Sequence, residues 1–210
     1  MALYDERGLL AESNWLAGSN HSVQLLPGLE HLLSLQQVEV RSLRAVGVAL
    51  GPGSFNGLRV AVSTAKGLCL ALGLPFLGVG TLAATAYQHR LAGRPVCALV
   101  DAGRGQLYGT IYPADARSWP AEGAGGILPL ADLVSRVDQP TVFCGELSEG
   151  AAALLSEWLG DLALLATPAT SLRRAACLAE LAWARFAAGE SDDLARVQPL
   201  YLRRLTGQPS

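Results

Sequence analysis

The run Ala45-Val46-Gly47-Val48-Ala49-Leu50 is apolar at every position and leads directly into Gly51-Pro52-Gly53-Ser54-Phe55-Asn56-Gly57. A strand that is apolar throughout suits burial on both faces, the condition of a strand inside a parallel or mixed sheet. After the glycines, Leu58, Ala61, Val62, Ala65, Leu68, Cys69 and Leu72 keep the i, i+3, i+4, i+7 spacing of a helix with one apolar face. Gly73 supplies a stop, and residues 75–79 return as a short strand. Strand, glycine turn, long helix and strand make a crossover unit, which commits the chain to an α/β sheet with helices on its faces.

Upstream, residues 1–4 and 9–15 read as two strands around the turn Asp5-Glu6-Arg7-Gly8. A helix over about 20–35 carries Leu25, Leu26, Leu29, Leu32 and Leu33 as one stripe, with Pro27 predicting a kink or a late start. Residues 81–91 read as a helix. Then the order begins again: strands at 96–100, 106–112 and near 127–128, helix 130–137, strand 141–144, helix 150–159, strand 162–165 and helix 171–188. In the last helix Ala175, Ala176, Ala179, Ala182, Trp183 and Phe186 share a face, and Ser171 is the expected N-cap.

The second half therefore reads strand-strand-strand-helix-strand-helix-strand-helix, and the first half reads the same without its first strand. This predicts two lobes, residues 1–94 and 95–210, with the last helix placed to pack back on the first lobe. Duplicated βββαβαβα lobes are the plan of the actin/sugar-kinase/RNase H-like (ASKHA) superfamily, an α/β fold. In that plan the first strand sits mid-sheet, so its loss leaves a gap between two unpaired edges. A start codon chosen too far downstream is the expected cause.

Composition narrows the function. The 210 residues are 50% hydrophobic with a formal charge of −2, so there is a core to bury and no basic footprint for autonomous nucleic-acid binding. Cys69, Cys97, Cys144 and Cys177 lie far apart in apolar stretches and read as buried free thiols. His21, His31 and His89 form no i, i+4 pair, which argues against a helical metal site. The uncharged stretch 67–88 is long enough for a membrane span, but Gly73, Pro75, Gly78 and Gly80 break it into a helix end, turn and strand. No membrane segment is expected, and the location read from these features is the cytoplasm.

The glycine loop opens a helix, where free N–H groups and the helix dipole favour a phosphate, a carboxylate or a close partner backbone. A plain strand-to-helix turn is the equally simple alternative. Gly53 to Gly57 is too short for a Walker loop, and Leu58-Arg59 stands in place of its Lys-Ser/Thr. The spacing G-x-G-x-x-x-G, with no acid ending the next strand, is a poor dinucleotide fingerprint.

The string Gly51-Pro52-Gly53-Ser54-Phe55-Asn56-Gly57-Leu58-Arg59 resembles the GPGSFTGLR signature of the TsaB family, with Asn56 in place of Thr. His21-Ser22-Val23-Gln24-Leu25-Leu26-Pro27 is similar to that family's HSE-x-LLP, and Ala65-Lys66-Gly67-Leu68 to its AKGL. Asp101-Ala102-Gly103-Arg104-Gly105-Gln106-Leu107-Tyr108 resembles DARRGEVY, with Gly103 for an Arg, and Pro199-Leu200-Tyr201-Leu202-Arg203 resembles P-x-YLR. The resemblance spans residues 2–203 and lacks an opening strand of the type LAIDTS. Asn56 is expected to serve as an N-cap as well as Thr does.

The resemblance implies a subunit with no catalytic, cofactor-binding or metal-ligating residues of its own. TsaB proteins share the fold of the catalytic paralogue TsaD without its metal-binding histidine pair, and His21 here is followed four residues on by Leu25. The implied role is to pair with TsaD, with TsaE joining. TsaD then transfers threonylcarbamoyl, activated by TsaC, to adenosine 37 of tRNAs reading codons that begin with A. On this reading tRNA is met only through the complex, any ATP or ADP sits at the junction with TsaD, and a homodimer forms when TsaD is absent.

In the family the partner surface comes from the first two helices, here about 20–35 and 56–72. The candidate interface residues are Gly51, Gly53, Ser54, Phe55, Asn56, Gly57, Arg59, Ser63 and Lys66. Arg59 and Lys66, seven apart, share roughly one face and are expected to meet solvent or partner. The small residues Gly57, Ala61, Ser63, Thr64, Ala65 and Gly67 permit close helix approach, and equally suit packing on a sheet. Asp101 ends an apolar strand, either as a site carboxylate or as a turn former; Tyr108 and Tyr112 read as packing residues. The rival readings are an independent ATPase, kinase or peptidase-like enzyme of the same fold, and a structural dimer unrelated to tRNA.

Overall fold

A computed structural model describes residues 1–15, 20–103, 106–114, 119 and 126–201. Arg104, Gly105, Leu202, Arg203 and most of the loop 113–126 lie outside the described residues. In chain order the elements are β1 (Ala2–Asp5), β2 (Gly8–Glu12), α1 (His21–Leu35), β3 (Val46–Gly51), α2 (Phe55–Leu72), β4 (Phe76–Gly80) and α3 (Thr81–Tyr87). Then come β5 (Val96–Asp101), β6 (Leu107–Tyr112), β7 (Leu128–Pro129), α4 (Leu130–Val134), β8 (Thr141–Gly145), α5 (Glu149–Leu159), β9 (Ala163–Leu165) and α6 (Ala175–Ala187). Short 3-10 turns occupy Val40–Ser42 and Gly160–Leu162.

The chain groups into two compact units. The first is Met1–Val79 with Arg174–Leu200, and the second is Gly80–Arg173 with Tyr201. This grouping differs from a break after residue 94. Helix α3 packs on β5 and β8, and its residues Thr81 to Ala86 are buried there, so it joins the second unit.

In the second unit one five-stranded sheet has the order β7-β6-β5-β8-β9. Strand β5 is central: it pairs antiparallel with β6, Val96 opposite Tyr112, and parallel with β8, Val96 beside Val142. Val96 to Val100 are at most 1% exposed, as a continuous apolar run in mid-sheet should be. Leu99, Leu133, Phe143 and Leu155 form the core beneath α4 and α5. Burial holds the Cys97 and Cys144 thiols in their neutral form, Cys144 being pushed up to about 12. Cys69 is buried as well, whereas Cys177 is only half-buried, short of the expectation for all four.

The first unit contains two strand pairs in separate sheets, β1-β2 and β3-β4. Strands β1 and β2 are antiparallel, Ala2 opposite Glu12, with an irregularity between Leu3 and Tyr4. Helix α6 lies against β1, β2 and β3. A Cβ at Gly47 would stand 2.8 Å from Cβ of Ala182, so α6 crosses β3 on that glycine. Val48 points the other way, into the cluster of Val62, Ala65, Cys69 and Phe76 under α2. Full burial of β3 does not follow from its apolar sequence: only Val48 and Gly51 are buried and Gly47 is exposed, because among the described residues β3 pairs with β4 alone.

Two helix starts depart from the sequence pattern. Helix α1 begins at His21 and runs through Pro27, so the start is not late; Leu32 and Leu33 are buried, but Leu26 is 53% exposed and leaves the expected stripe. Helix α6 begins at Ala175 and not after Ser171. Its first turn is served from a distance: the Glu12 carboxylate accepts from the Ala176 N–H at 3.0 Å and from Arg174 Nε at 2.7 Å. An anion there also meets the positive end of the helix dipole. Burial pushes the Glu12 carboxyl up, and the bonds from Arg174, Ala176 and Asn14 outweigh it, bringing the pKa down to about 2.

The segment after α6 folds back on the first unit. The Asp192 N–H donates to Phe76 O at 2.8 Å, and its carboxylate accepts from the Gly78 N–H at 2.6 Å and from Arg185. Arg185 also donates to Gly78 O at 2.7 Å and to Glu190. Leu194 and Val197 pack on the core beside α2. At the end of the segment Leu200 N donates to Leu50 O at 2.6 Å.

Two stability predictions arise from these bonds. Glu12→Gln should cost about 1–2 kcal/mol at pH 7, discounted for solvent screening, read by urea unfolding. Glu12's contribution is present above its ordinary carboxyl value of 4.5 and fades as pH falls toward about 2, where the two proteins should converge. Gly51 has φ +117° and a Cβ there would strike the Leu200 carbonyl, so Gly51→Ala should cost about 2–4 kcal/mol in the same assay.

Candidate partner interface

The glycine loop is a tight strand-to-helix turn braced from behind. Gly51 and Pro52 are buried, Gly53 is half-buried, and the chain emerges at Ser54, Phe55 and Asn56, all exposed. Ser54 is the N-cap of α2, its Oγ accepting from the Gly57 N–H at 3.4 Å. Asn56 therefore sits inside the first turn and does not cap it, contrary to the expectation for that position. Leu58, Val62, Ala65 and Cys69 form the buried face of α2, and Gly73, at φ 67°, ends the helix by donating to Cys69 O.

The opposite face carries Asn56, Arg59, Ser63, Gly67 and Leu70, all exposed, with Gly57 half-buried. The Arg59 guanidinium carbon lies 5.2 Å from the centre of the exposed Phe55 ring, so charge and apolar surface are presented together. Lys66 is committed: its Nζ donates to Val197 O at 2.8 Å. It braces the returning C-terminal segment and does not stand free beside Arg59. No acidic residue occurs anywhere in Phe55–Leu72, so the face is cationic. Helix α1, packed beside α2, exposes Val23 and Leu26.

The structure brings together motifs that lie far apart in sequence. Leu200, from the C-terminal motif, bonds to Leu50 and closes over Gly51 at the foot of the loop. Sequence reasoning did not identify this brace, since neither Asp192 nor Val197 belongs to a recognisable pattern. Asp101, in the other unit, is a turn former: its Oδ1 accepts from the Gly103 N–H at 2.6 Å while its own N–H donates to Glu146. It borders an open cavity of about 460 Å³ with Tyr108, Leu130, Ser148, Leu154 and Trp158. Tyr112 is fully buried and stacks on Trp119 at 4.9 Å. Among the described residues no group of three His, Cys, Asp or Glu side chains gathers as a metal site, and no helix is long and apolar enough to cross a membrane.

A family model described as TsaD, tRNA N6-adenosine threonylcarbamoyltransferase, matches residues 15–204. The tRNA threonylcarbamoyladenosine biosynthesis protein TsaB of Bacillus subtilis is 29% identical over 206 residues, covering 97% of this chain and 88% of that one. Its Escherichia coli namesake is 28% identical over 192 residues, covering 90% and 83%. The solved structure of YeaZ from Pseudomonas aeruginosa superposes with a TM-score of 0.75 at 26% identity, over 95% of this chain and 92% of that one. These likenesses give the α/β arrangement an ASKHA-like fold. The chain belongs to the TsaD threonylcarbamoyltransferase family, and its full-length relatives place it with the TsaB (YeaZ) members.

Proposed function

We propose that this protein serves tRNA threonylcarbamoyladenosine biosynthesis as a non-catalytic subunit that pairs with TsaD through the outer face of α2 and the adjoining face of α1. The observation that carries this reading is the exposed Phe55–Arg59 pair at the mouth of the signature loop, on a helix with no carboxylate. A desolvated aromatic beside a guanidinium is a typical anchor of a protein interface. The partner surface that complements it is apolar with acidic groups.

The strongly perturbed groups support a structural rather than a chemical role. Burial opposes ionisation of both Glu12 and Asp192; the bonds that outweigh it fasten Glu12 to α6 and Asp192 to Arg185 and Gly78. Burial likewise pushes up the thiols of Cys97 and Cys144, away from any nucleophilic state. On this reading the acceptor tRNA, TsaE and any ATP or ADP are engaged through the complex, in the cytoplasm, and a homodimer uses the same face when TsaD is absent. The two units are taken as versions of one βββαβαβα plan.

Arg59 is exposed and its removal leaves the core untouched, so Arg59→Glu should keep the circular dichroism spectrum and thermal midpoint of the parent. Its affinity for TsaD from the same organism should fall by about tenfold or more, measured by calorimetric titration. Unchanged affinity in the folded variant would overturn the assignment of this face.

A further inference from the structure

We propose that a cavity in the second unit, at the C-terminal end of β5, binds a small organic amine carried on an aromatic or branched apolar body. The string Asp101–Tyr108 builds one side of it, and that string belongs to a different unit from the α2 face. Strand β5 sends Cys97 and Leu99 into the core beneath α4 and α5. Alternation along the strand puts Asp101 in the same row, so an apolar row ends on a carboxylate. Leu107, opposite Asp101 on β6, packs on that core as well. Both residues border the open cavity of about 460 Å³.

Size and lining suit a small molecule. Pockets for such ligands span about 300–1,000 Å³ and are mostly apolar with a few polar groups. Here Leu107, Leu130, Leu154 and Trp158 supply apolar surface, and Asp101 and Gln106 are among the polar members. Leu154 is 41% and Trp158 48% exposed, so a ligand seated against α5 takes apolar surface out of water. Gly150 also lines the cavity, and a Cβ there would meet nothing within 4 Å. Helix α5 thus keeps the space open with the residue that weakens a helix most after proline.

Charge sets the class of ligand. Among the described residues no lysine, arginine or histidine lines the cavity. Arg173 is spent on Glu146, whose other oxygen accepts from the Asp101 N–H at 2.7 Å. The start of α5 brings partial positive charge, but Ser148 Oγ accepts from the Ala151 N–H at 3.2 Å and Glu149 stands in the first turn. Asp101 is held in place by its Oδ1, which accepts from the Gly103 N–H at 2.6 Å. A ligand therefore meets a fixed carboxylate beside apolar walls, which favours an ammonium group and disfavours phosphate or carboxylate. The Trp158 indole adds a face for ring stacking or for the cation itself.

The test titrates the full chain with phenethylamine and, as its charge-reversed counterpart, phenylacetate, following tryptophan fluorescence. Phenethylamine should give a saturable change with a Kd of about millimolar or below, as befits so small a ligand. Phenylacetate should bind about tenfold more weakly or not at all. Trp158→Phe should remove the fluorescence change. Asp101→Asn keeps an acceptor for the Gly103 N–H and should weaken phenethylamine by about tenfold. Gly150→Leu fills the cavity and should abolish binding, while the thermal midpoint stays level or rises. The proposal is overturned by no saturable change, by equal affinity for the two ligands, or by tighter binding of AMP. A fluorescence change that persists in Trp158→Phe, or binding that survives Gly150→Leu, overturns it too. No readout involves TsaD, so the result stands apart from the proposed partner role.

Discussion

The contact between Glu12 and the start of α6 is the one on which the first unit depends. Its carboxylate receives Arg174 and the Ala176 N–H, fixing the end of β2 to a helix more than 160 residues later in the chain. That helix then crosses β1, β2 and β3, and among the described residues no backbone ladder joins the β1-β2 pair to the β3-β4 pair. Trp183 of α6 meets Tyr4 of the hairpin at 5.8 Å between ring centres and Phe186 of its own helix at 5.7 Å. Beyond α6, the Arg185–Asp192–Gly78 bonds carry the chain along β4 and deliver Leu200 to the foot of the glycine loop. One ion pair thus begins a path that ends at the candidate interface.

That path explains how the loop can be both rigid and bare. Of its buried half, Gly51 and Pro52, Gly51 lies directly against Leu200 of the returning segment, and Lys66 secures the segment from the helix side. Ser54 takes up a helix N–H that would otherwise be free for an anion. What remains exposed on that side is Phe55, Arg59 and positions such as Ser63 and Gly67. On the proposed reading, a surface held this firmly would lose little entropy on docking, so its contacts would go further in affinity.

Local pattern carried much of this in advance. The crossover β3-α2-β4 was legible from an apolar run, a glycine loop and a 3.6-residue period, and the signature string identified the family. What sequence could not carry was set at long range. Ser171 is a good cap by type, but α6 starts at Ala175 because Glu12 supplies the acceptor from another strand. Lys66 shares a helix face with Arg59 by spacing, yet Val197 O holds it. Leu26 belongs to the apolar stripe by count and is exposed on the structure. The apolar run of β3 predicts burial on both faces, but burial also requires a neighbour on each edge, which no single strand encodes.

The central claim is that this chain supplies a surface and not a reaction. It is tested most directly by reconstituting threonylcarbamoyl transfer to an acceptor tRNA with purified TsaC, TsaD and TsaE from the same organism, with and without this protein. The account predicts no modified adenosine from this protein with TsaC alone, and a rate with TsaD that rises with its concentration and saturates at a fixed ratio of the two. Modification formed without TsaD, or a TsaD rate indifferent to its presence, would contradict it.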